Sequence, residues 1–547
     1  MLKENFSRYL ADSITRNWDY RALTDYQGES FYYHDVAGHI VRLHQFFREA
    51  GIRPGDKIGL IGKNSARWGI LYITTVTYGA VIVPILPDFK PEDLQQIVDH
   101  SDAVILFAEE GIFEKMDRAN MPKLKCVVSV TSLEFLAGDE EIRAVHSRNE
   151  FHKIVPGFYK DEDKPAFPEI PGETLAVISY TSGTTGFTKG VMLTHNNLAA
   201  NMRYAQQNMP LNPGDRIVSF LPLAHTFGAA FEFLFPFTLG CDITILTKTP
   251  SPQVIIKAFQ EVKPSLILSV PLVIEKIYKK QVLPAIRKPH MKLLLMLPGL
   301  KNIILKKIRE KLVAVFGGNF RELVIGGAAF NAEAEEFFRQ MKFPFTVGYG
   351  MTECGPLISY VGWKDSRPGS AGKAVDTLEV KIDSPDPANK SGEIIVRGDN
   401  VMLGYYKNDE ATQEVLGADG WLYTGDLGRM DKDGHIYIRG RIKSVLIGSS
   451  GKNIYPEEIE AQFNNKPFIA ESLVVQRGEK LIVLISPDFE EMEKAGQKEE
   501  NLAEIYNHYL KTVNHHLPGF MQVSKYEIHP KEFQKTPKRS IKRFLYS

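Results

Sequence analysis

The stretch Tyr180-Thr-Ser-Gly-Thr-Thr-Gly-Phe-Thr-Lys-Gly-Val-Met-Leu-Thr-His-Asn-Asn197 packs hydroxyls, glycines and one lysine into what reads as a single tight turn. The apolar run Thr174-Leu-Ala-Val-Ile-Ser-Tyr180 before it predicts a buried strand, so the turn leaves the carboxyl end of a strand, where α/β sheets place ligands. Gly183 and Gly186 permit positive φ and let backbone N–H groups close on an anion, while Thr181, Ser182, Thr184 and Thr185 add donors and a metal contact. Lys189 adds a full positive charge. Together they point to a phosphate cradle, with an ordinary Gly/Thr-rich surface turn as the plain alternative. A Walker A loop, Gly-x-x-x-x-Gly-Lys-[Ser/Thr], fails on register: counted from Gly183, its second glycine falls on Thr188 and its hydroxyl on Gly190.

At 547 residues the chain exceeds one ordinary core and predicts at least two domains. Its 66 basic and 66 acidic residues cancel, so no global charge argues for nucleic acid. Cys126, Cys241 and Cys354 are odd in number, far apart and without metal spacing, which favours a reducing compartment and no disulfide framework. The first twelve residues include Glu4 and Asp12 and lack the apolar core of a secretory signal. The best hydropathy candidate for a span, Phe220 to Leu246, contains Pro222, His225, Glu232, Pro236 and Asp242; with a mean hydropathy of −0.18 it reads as a buried helix flanked by strands, near a cleft.

Strand-like and helix-like pieces alternate along most of the chain. Lys57 to Gly62, Ala80 to Pro87, Leu266 to Val270, Glu322 to Ile325 and Phe343 to Gly348 predict strands, and Glu92 to His100 and the capped Asn331 to Met341 predict helices. After Asp376 the texture changes to short strands and turns, at Leu378 to Ile382, Gly392 to Gly398 and His435 to Arg439.

Three later clusters carry chemistry. In Val347-Gly-Tyr-Gly-Met-Thr-Glu-Cys-Gly-Pro356, Tyr349 between Gly348 and Gly350 offers a ring for a flat base, Thr352 after Met351 a phosphate contact, and Glu353 a ligand for Mg²⁺. Taken alone the segment also fits a strand followed by a turn with a solvated Glu. In Gly420-Trp-Leu-Tyr-Thr-Gly-Asp-Leu-Gly428, Asp426 suits the two hydroxyls of a ribose. In Gly440-Arg-Ile-Lys-Ser-Val-Leu-Ile-Gly-Ser-Ser-Gly-Lys-Asn-Ile-Tyr-Pro-Glu-Glu-Ile-Glu460, Arg441 adds a fixed fork of donors. An Asp in a turn or an Arg on a surface explains either residue in isolation.

The four clusters, in this order and spacing, resemble the adenylate-forming superfamily: acyl-CoA synthetases, luciferases and the adenylation domains of peptide synthetases. Thr188 stands where that family usually has proline, and Cys354 where it usually has Thr or Ser. The resemblance implies a large N-terminal domain of α/β subdomains with a small β-barrel-like piece, residues 1–441, and a small mobile α+β domain, residues 442–547. It also implies that ATP with Mg²⁺ and a carboxylate give an acyl-adenylate and pyrophosphate, after which a thiol, normally that of coenzyme A, takes the acyl group. By analogy Thr184 and Glu353 serve the metal, Ser182 to Gly186 with Lys189 hold phosphates, and Tyr349 with Gly327, Ala328 and Ala329 frames adenine. Asp426 and Arg441 would grip ribose, Lys443 would be the hinge, and Gly451 and Lys452 would swing into the thioester-forming site.

The tail departs from the family. Where relatives read Lys-Thr-x-Ser-Gly-Lys-Ile, this chain has Lys535-Thr-Pro-Lys-Arg-Ser-Ile-Lys-Arg-Phe544, so Ser540 occupies the position of the adenylating lysine. Lys538, Arg539 or Lys542 would have to supply that cation; an impaired first half-reaction and a merely basic tail stay open. Leu221-Pro-Leu-Ala-His-Thr-Phe-Gly228 and the Val270-Pro to Glu275-Lys-Ile-Tyr278 run look like the long-chain fatty acid branch, with His225 at the acyl mouth. A ligase that loads a carrier protein is the alternative. Between Lys276 and Lys311 eleven Lys/Arg face one acid, Glu310, a pattern that fits either peripheral membrane contact or a solvated face beside a core helix. The expected setting is cytoplasmic, at most peripheral to a membrane, and the residues are compatible with an oligomer.

Overall fold

The computed structural model describes residues 5–149, 166–182, 188–248, 250–286, 288–447, 453–535 and 541–546. The chain is an α/β protein whose central sheet has eight strands. Four parallel neighbours, Cys126–Ser129, Ala103–Ala108, Lys57–Ile61 and Val81–Ile85, lead to the strand Leu175–Ser182, also parallel. The stretch expected as one tight turn is resolved differently: Thr188–Thr194 returns antiparallel to Leu175–Ser182, with Thr181 opposite Lys189. The reason is alternation. Val177, Val191 and Leu193 face one core, while Ile178 and Tyr180 face another with Met192 packed against it, so the hairpin is buried on both sides.

A second sheet, Arg216–Ser219, Asp242–Ile245, Arg21–Asp25 and Ser30–Tyr32, brackets the apolar segment at 220–246. That segment is a buried helical run between Thr226 and Leu239 with π geometry at Ala229–Leu234. The one acid of this helical run, Glu232, is completely buried and accepts from the N–H groups of Phe220 and Leu221, which holds the turn before the helix in place. A third sheet places Leu266–Ser269, Glu322–Ile325 and Phe345–Val347 in parallel, so their carboxyl ends open together.

The β-barrel-like piece consists of two antiparallel sheets, Tyr349–Gly350 with Leu357–Tyr360 and Lys373–Ala374, and Leu378–Asp383 with Gly392–Gly398, Leu422–Met430 and Ile436–Arg441. They are joined by a bridge between Lys373 and His435. One core cluster runs from Phe6 to Ile436 and includes no residue beyond it. After Arg441 the chain builds its own core. Strands Ile469–Arg477, Lys480–Pro487 and Lys525–Ile528 form a sheet whose one face, with Val474, Val483 and Ile485, packs on Ile459, Phe463, Tyr506 and Val513 from two helices. The other face, with Leu473, Val475, Ile482 and Leu484, is covered by Phe533, Ile541 and Tyr546 of the tail. Each such buried side chain contributes about 1.5–3 kcal/mol.

Candidate active site

The short strand Gly404–Tyr405 pairs with the outer edge of Thr188–Thr194, Tyr405 opposite Val191. This addition brings three groups together. The Lys189 ammonium lies 4.6 Å from the centre of the Tyr405 ring, and the Tyr405 hydroxyl donates to Glu353 Oε1 at 2.9 Å. Burial, then the Glu353 charge, pushes the Tyr405 phenol far above its usual range, so it remains a donor. Glu353 in turn accepts the Met402 N–H at its carbonyl, which ties the acid to the loop before Tyr405.

A second group forms where Leu422–Met430 meets the edge strand Ile436–Arg441, with Asp426 directly opposite Arg441. Arg441 Nε donates to Asp426 Oδ1 at 2.9 Å and the Tyr349 hydroxyl to Oδ2 at 2.7 Å. Burial lifts the Asp426 carboxyl above its usual range, the Arg441 guanidinium pulls it back, and the neighbouring Glu353 charge lifts it again. The Tyr349 phenol is raised strongly, first by burial and then by Asp426.

These groups sit where the third sheet opens. Tyr349 and Glu353 follow Phe345–Val347, and Gly327, Ala328 and Ala329 follow Glu322–Ile325 as an exposed turn with Gly327 at φ +87°. Gly350 is forced by contact: a Cβ there would lie 2.1 Å from the Pro356 carbonyl oxygen, whose partner is the Met351 N–H. Gly348 is less constrained, with the Ser359 carbonyl 3.5 Å from its virtual Cβ. Thr352 is buried and accepts the Thr226 hydroxyl at 3.4 Å, which joins the apolar run to the acid-bearing loop. His225 precedes Thr226 and caps the helical run through Nδ1, which accepts the Phe227 N–H at 3.3 Å. Behind it lies an apolar cavity of about 10 Å³, lined by Val177, Leu193, Leu223, Ala224, Ala230 and Leu234 among others, room for one water.

Of the residues singled out in the sequence, Lys189, Tyr349, Met351, Thr352, Glu353, Asp426 and Arg441 fall into this one region, with Thr181 across the hairpin from Lys189. Gly183, Thr184, Thr185, Gly186, Gly451, Lys452 and Lys538 lie outside the described residues, as does the side chain of Ser182. Lys443 lies in a 3₁₀ turn, Ile442–Ser444, directly after Arg441. Lys542 donates its backbone N–H to Gln534, while Arg543 pairs with Glu460 and Glu457 and Lys535 with Glu471, inside the C-terminal unit. Among the described residues no hydrogen bond or ion pair joins Lys443 or Lys542 to the Lys189–Asp426 region.

Sequence reasoning missed Tyr405, Asn197 and Asn201. Asn197 donates to the carbonyls of Asp399 and Val401, and Asn201 donates to Cys354 and accepts from Leu357, so the helix His195–Asn208 braces both halves of the site. Its capping box, Thr194 with Asn197, is legible in the opening stretch. Nothing local marks Tyr405, because its role comes from strand pairing.

Comparison with known proteins bears on the family. A family model described as AMP-binding enzyme matches residues 10–406, and one described as AMP-binding enzyme C-terminal domain matches 443–546. The long-chain-fatty-acid–CoA ligase FadD15 of Mycobacterium bovis is 30% identical over 480 residues, 82% of this chain and 76% of that protein. Long chain acyl-CoA synthetase 3 of Arabidopsis thaliana is 29% identical over 78% of this chain and 68% of its own length. Among solved structures, the O-succinylbenzoate coenzyme A synthetase of Bacillus subtilis with ATP and magnesium ion superposes with a TM-score of 0.75 at 20% identity, covering 99% of each chain. On the match of the AMP-binding model over most of its length, this chain belongs to the family of AMP-binding enzymes.

Proposed function

We propose that this chain activates a long-chain fatty acid with ATP, forming an acyl-adenylate and pyrophosphate, and then passes the acyl group to coenzyme A, releasing AMP. The observation that carries this reading is the joining of Lys189, Tyr405 and Glu353 next to Tyr349, Asp426 and Arg441, two cations and two carboxylates of the kinds that phosphates, metal and ribose require. Relatives named as long-chain fatty acid ligases support the acid class. Glu353 fits a hard cation: Oε1 is taken by Tyr405, and Oε2 carries no hydrogen bond among the described residues. Bound there, with Thr184 as second protein contact, the ion would neutralise phosphate charge.

In this reading Lys189 and residues 181–186 hold the phosphates, Tyr349, Gly327 to Ala329 and Gly348 to Thr352 frame the base and its phosphate, and Asp426 with Arg441 holds the ribose. The acid's carboxylate is positioned for in-line attack on the α-phosphorus, which needs placement and charge neutralisation rather than covalent help from the protein. His225 stands at the acyl mouth, and Lys538 or Lys542 brings the cation that Ser540 lacks. The chain divides into residues 1–441 and 442–547, and rotation about Lys443 carries Gly451 and Lys452 toward the thioester-forming site. The test is incubation with ATP, Mg²⁺ and acids of graded chain length, following pyrophosphate and then thioester with coenzyme A or a holo carrier protein. Pyrophosphate and acyl-CoA with a long-chain acid are expected. No pyrophosphate from any acid would overturn the reading, and thioester on the carrier protein alone would reassign the acceptor. Lys538→Ala and Lys542→Ala are compared in the same assay; equal adenylation by both variants and the parent would place the cation elsewhere.

A further inference from the structure

Outside the nucleotide region, a groove of about 370 Å³ opens in the helical segment that follows Tyr278. Leu283, Ile286, Leu295 and Leu305 wall it from the segment itself, and Phe337 from the helix Ala332–Gln340 closes the far side. Lys301 and Glu333 are its charged members, and Lys301 has no ion pair among the described residues. Its size lies within the roughly 300–1,000 Å³ of small-molecule sites, and its walls suit a flexible hydrocarbon.

The same segment has two further properties. Four of its large apolar side chains, Met296, Leu297, Leu300 and Ile303, are exposed within eight positions, Met296 by 78% and Ile303 by 54%. They cap the turn between the helices Pro289–Met296 and Pro298–Val315, at the end where Leu295 and Lys301 reach the groove. In sequence the stretch 276–311 carries eleven Lys/Arg against a single acid, Glu310, which lies 3.9 Å from Lys306; of the described basic residues, Lys279 is taken by the Asn464 carbonyl. A solvated charged face explains the lysines but not the apolar cap beside them, since such patches on a surface mark contact with another apolar phase. No helix of the described residues is long and apolar enough to cross a membrane, so contact there is from one side.

We infer that this segment docks on an anionic lipid surface, with the 296–303 stretch inserted among the lipids and the adjoining groove seating one long acyl chain whose carboxylate meets Lys301. The cargo rests on the fatty-acid reading above; the docking rests on the cap and the charge. The basic residues supply attraction that salt weakens, about 1 kcal/mol for each Lys or Arg near the surface.

The full chain is sedimented with vesicles of phosphatidylcholine alone and of phosphatidylcholine with phosphatidylglycerol, at low and high salt, beside an Ile303→Glu variant. A Phe337→Trp variant is mixed with the same vesicles carrying brominated acyl chains. Expected are pelleting with the anionic vesicles at low salt only, at least tenfold weaker partition for Ile303→Glu, and quenching that exceeds that of the parent's own tryptophans. Equal pelleting on neutral vesicles, none on anionic ones, or no added quenching would overturn the inference. So would a dimer that Ile303→Glu dissociates in sedimentation velocity, because the cap would then be an interface between copies. Pyrophosphate release with a short soluble acid separates the two readings: it stays at the parent's rate in Ile303→Glu if only docking is lost. Its absence in the parent for every acid would instead count against activation, while the vesicle result stands.

Discussion

At the scale of single residues, the site depends on hydroxyls that no motif contains. Tyr405→Phe removes one hydrogen bond to Glu353 while keeping the ring under Lys189. The expected loss is about 1 kcal/mol, roughly fivefold in kcat/KM for ATP, read from pyrophosphate release. Glu353→Gln removes the charge itself and should cost on the order of 10²–10³ in adenylation, the scale of a deleted electrostatic group. A smaller effect for Glu353→Gln than for Tyr405→Phe would remove Glu353 from the metal role. Lys189, Glu353, Asp426 and Arg441 were legible because charged residues among glycines stand out along a chain. Tyr405 was not, since its place is fixed by pairing to Val191, more than two hundred positions earlier.

At the scale of elements, burial on both faces made the strands readable and hid the connections. The apolar runs at 57–62, 81–85, 266–270 and 322–325 carry their own signal, as does the helix that Asn331 caps by accepting the Ala334 N–H. The hairpin return at Thr188–Thr194 was read as part of a turn because Thr188, Lys189 and Gly190 lack apolar character, and its strand identity comes from Val191 and Leu193. The run at 226–239 holds a sharper consequence. Burial raises the Glu232 carboxyl from its ordinary 4.5 to about 8, and burial likewise raises Glu322 to about 7. The folded protein keeps protons there that the unfolded chain has lost, so stability falls as pH rises from 4.5 through about 8. Thermal melting followed across that window should show the decline, and Glu232→Gln should flatten part of it; an unchanged slope would mean that Glu232 is ionised in the fold. Gly350→Ala should cost about 1–3 kcal/mol in denaturant unfolding, because the added carbon meets backbone rather than a side chain that can turn aside.

At the scale of the whole molecule, two sets of buried residues share no member. The C-terminal unit has its own sheet and its own core, and the contacts across the boundary are polar: Lys279 donates to the Asn464 carbonyl at 2.7 Å and Arg439 approaches Glu458 at 3.3 Å. Polar contacts of this kind contribute little, about 0–1 kcal/mol each for an exposed ion pair. Calorimetry should therefore resolve two unfolding transitions, and a single cooperative one would show that the units are coupled. Proline at position 443 locks φ near −65° in the turn after Arg441, so Lys443→Pro should change the ratio of pyrophosphate release to thioester formation by tenfold or more. An unchanged ratio would move the hinge elsewhere. The change in texture after Asp376 announced the short strands of the barrel-like piece, whereas the division after residue 441 came from the family resemblance, and the separateness of the cores was not legible because it depends on which faces of the 469–487 hairpin meet which helices.

The two hydrogen bonds on Asp426 bear on which sugar the protein accepts. Its oxygens already hold the Tyr349 hydroxyl and Arg441, so in the ribose role proposed for Asp426 a nucleotide would enter by exchange, its hydroxyls displacing a phenol. A site that leaves a buried carboxylate bare when a hydroxyl is missing rejects the deoxy analogue by about 10⁴ or more. Here Tyr349 can swing back and refill the vacancy, so selection between ATP and 2′-deoxy-ATP should be milder, on the order of ten- to a hundredfold, and should sharpen in Tyr349→Phe.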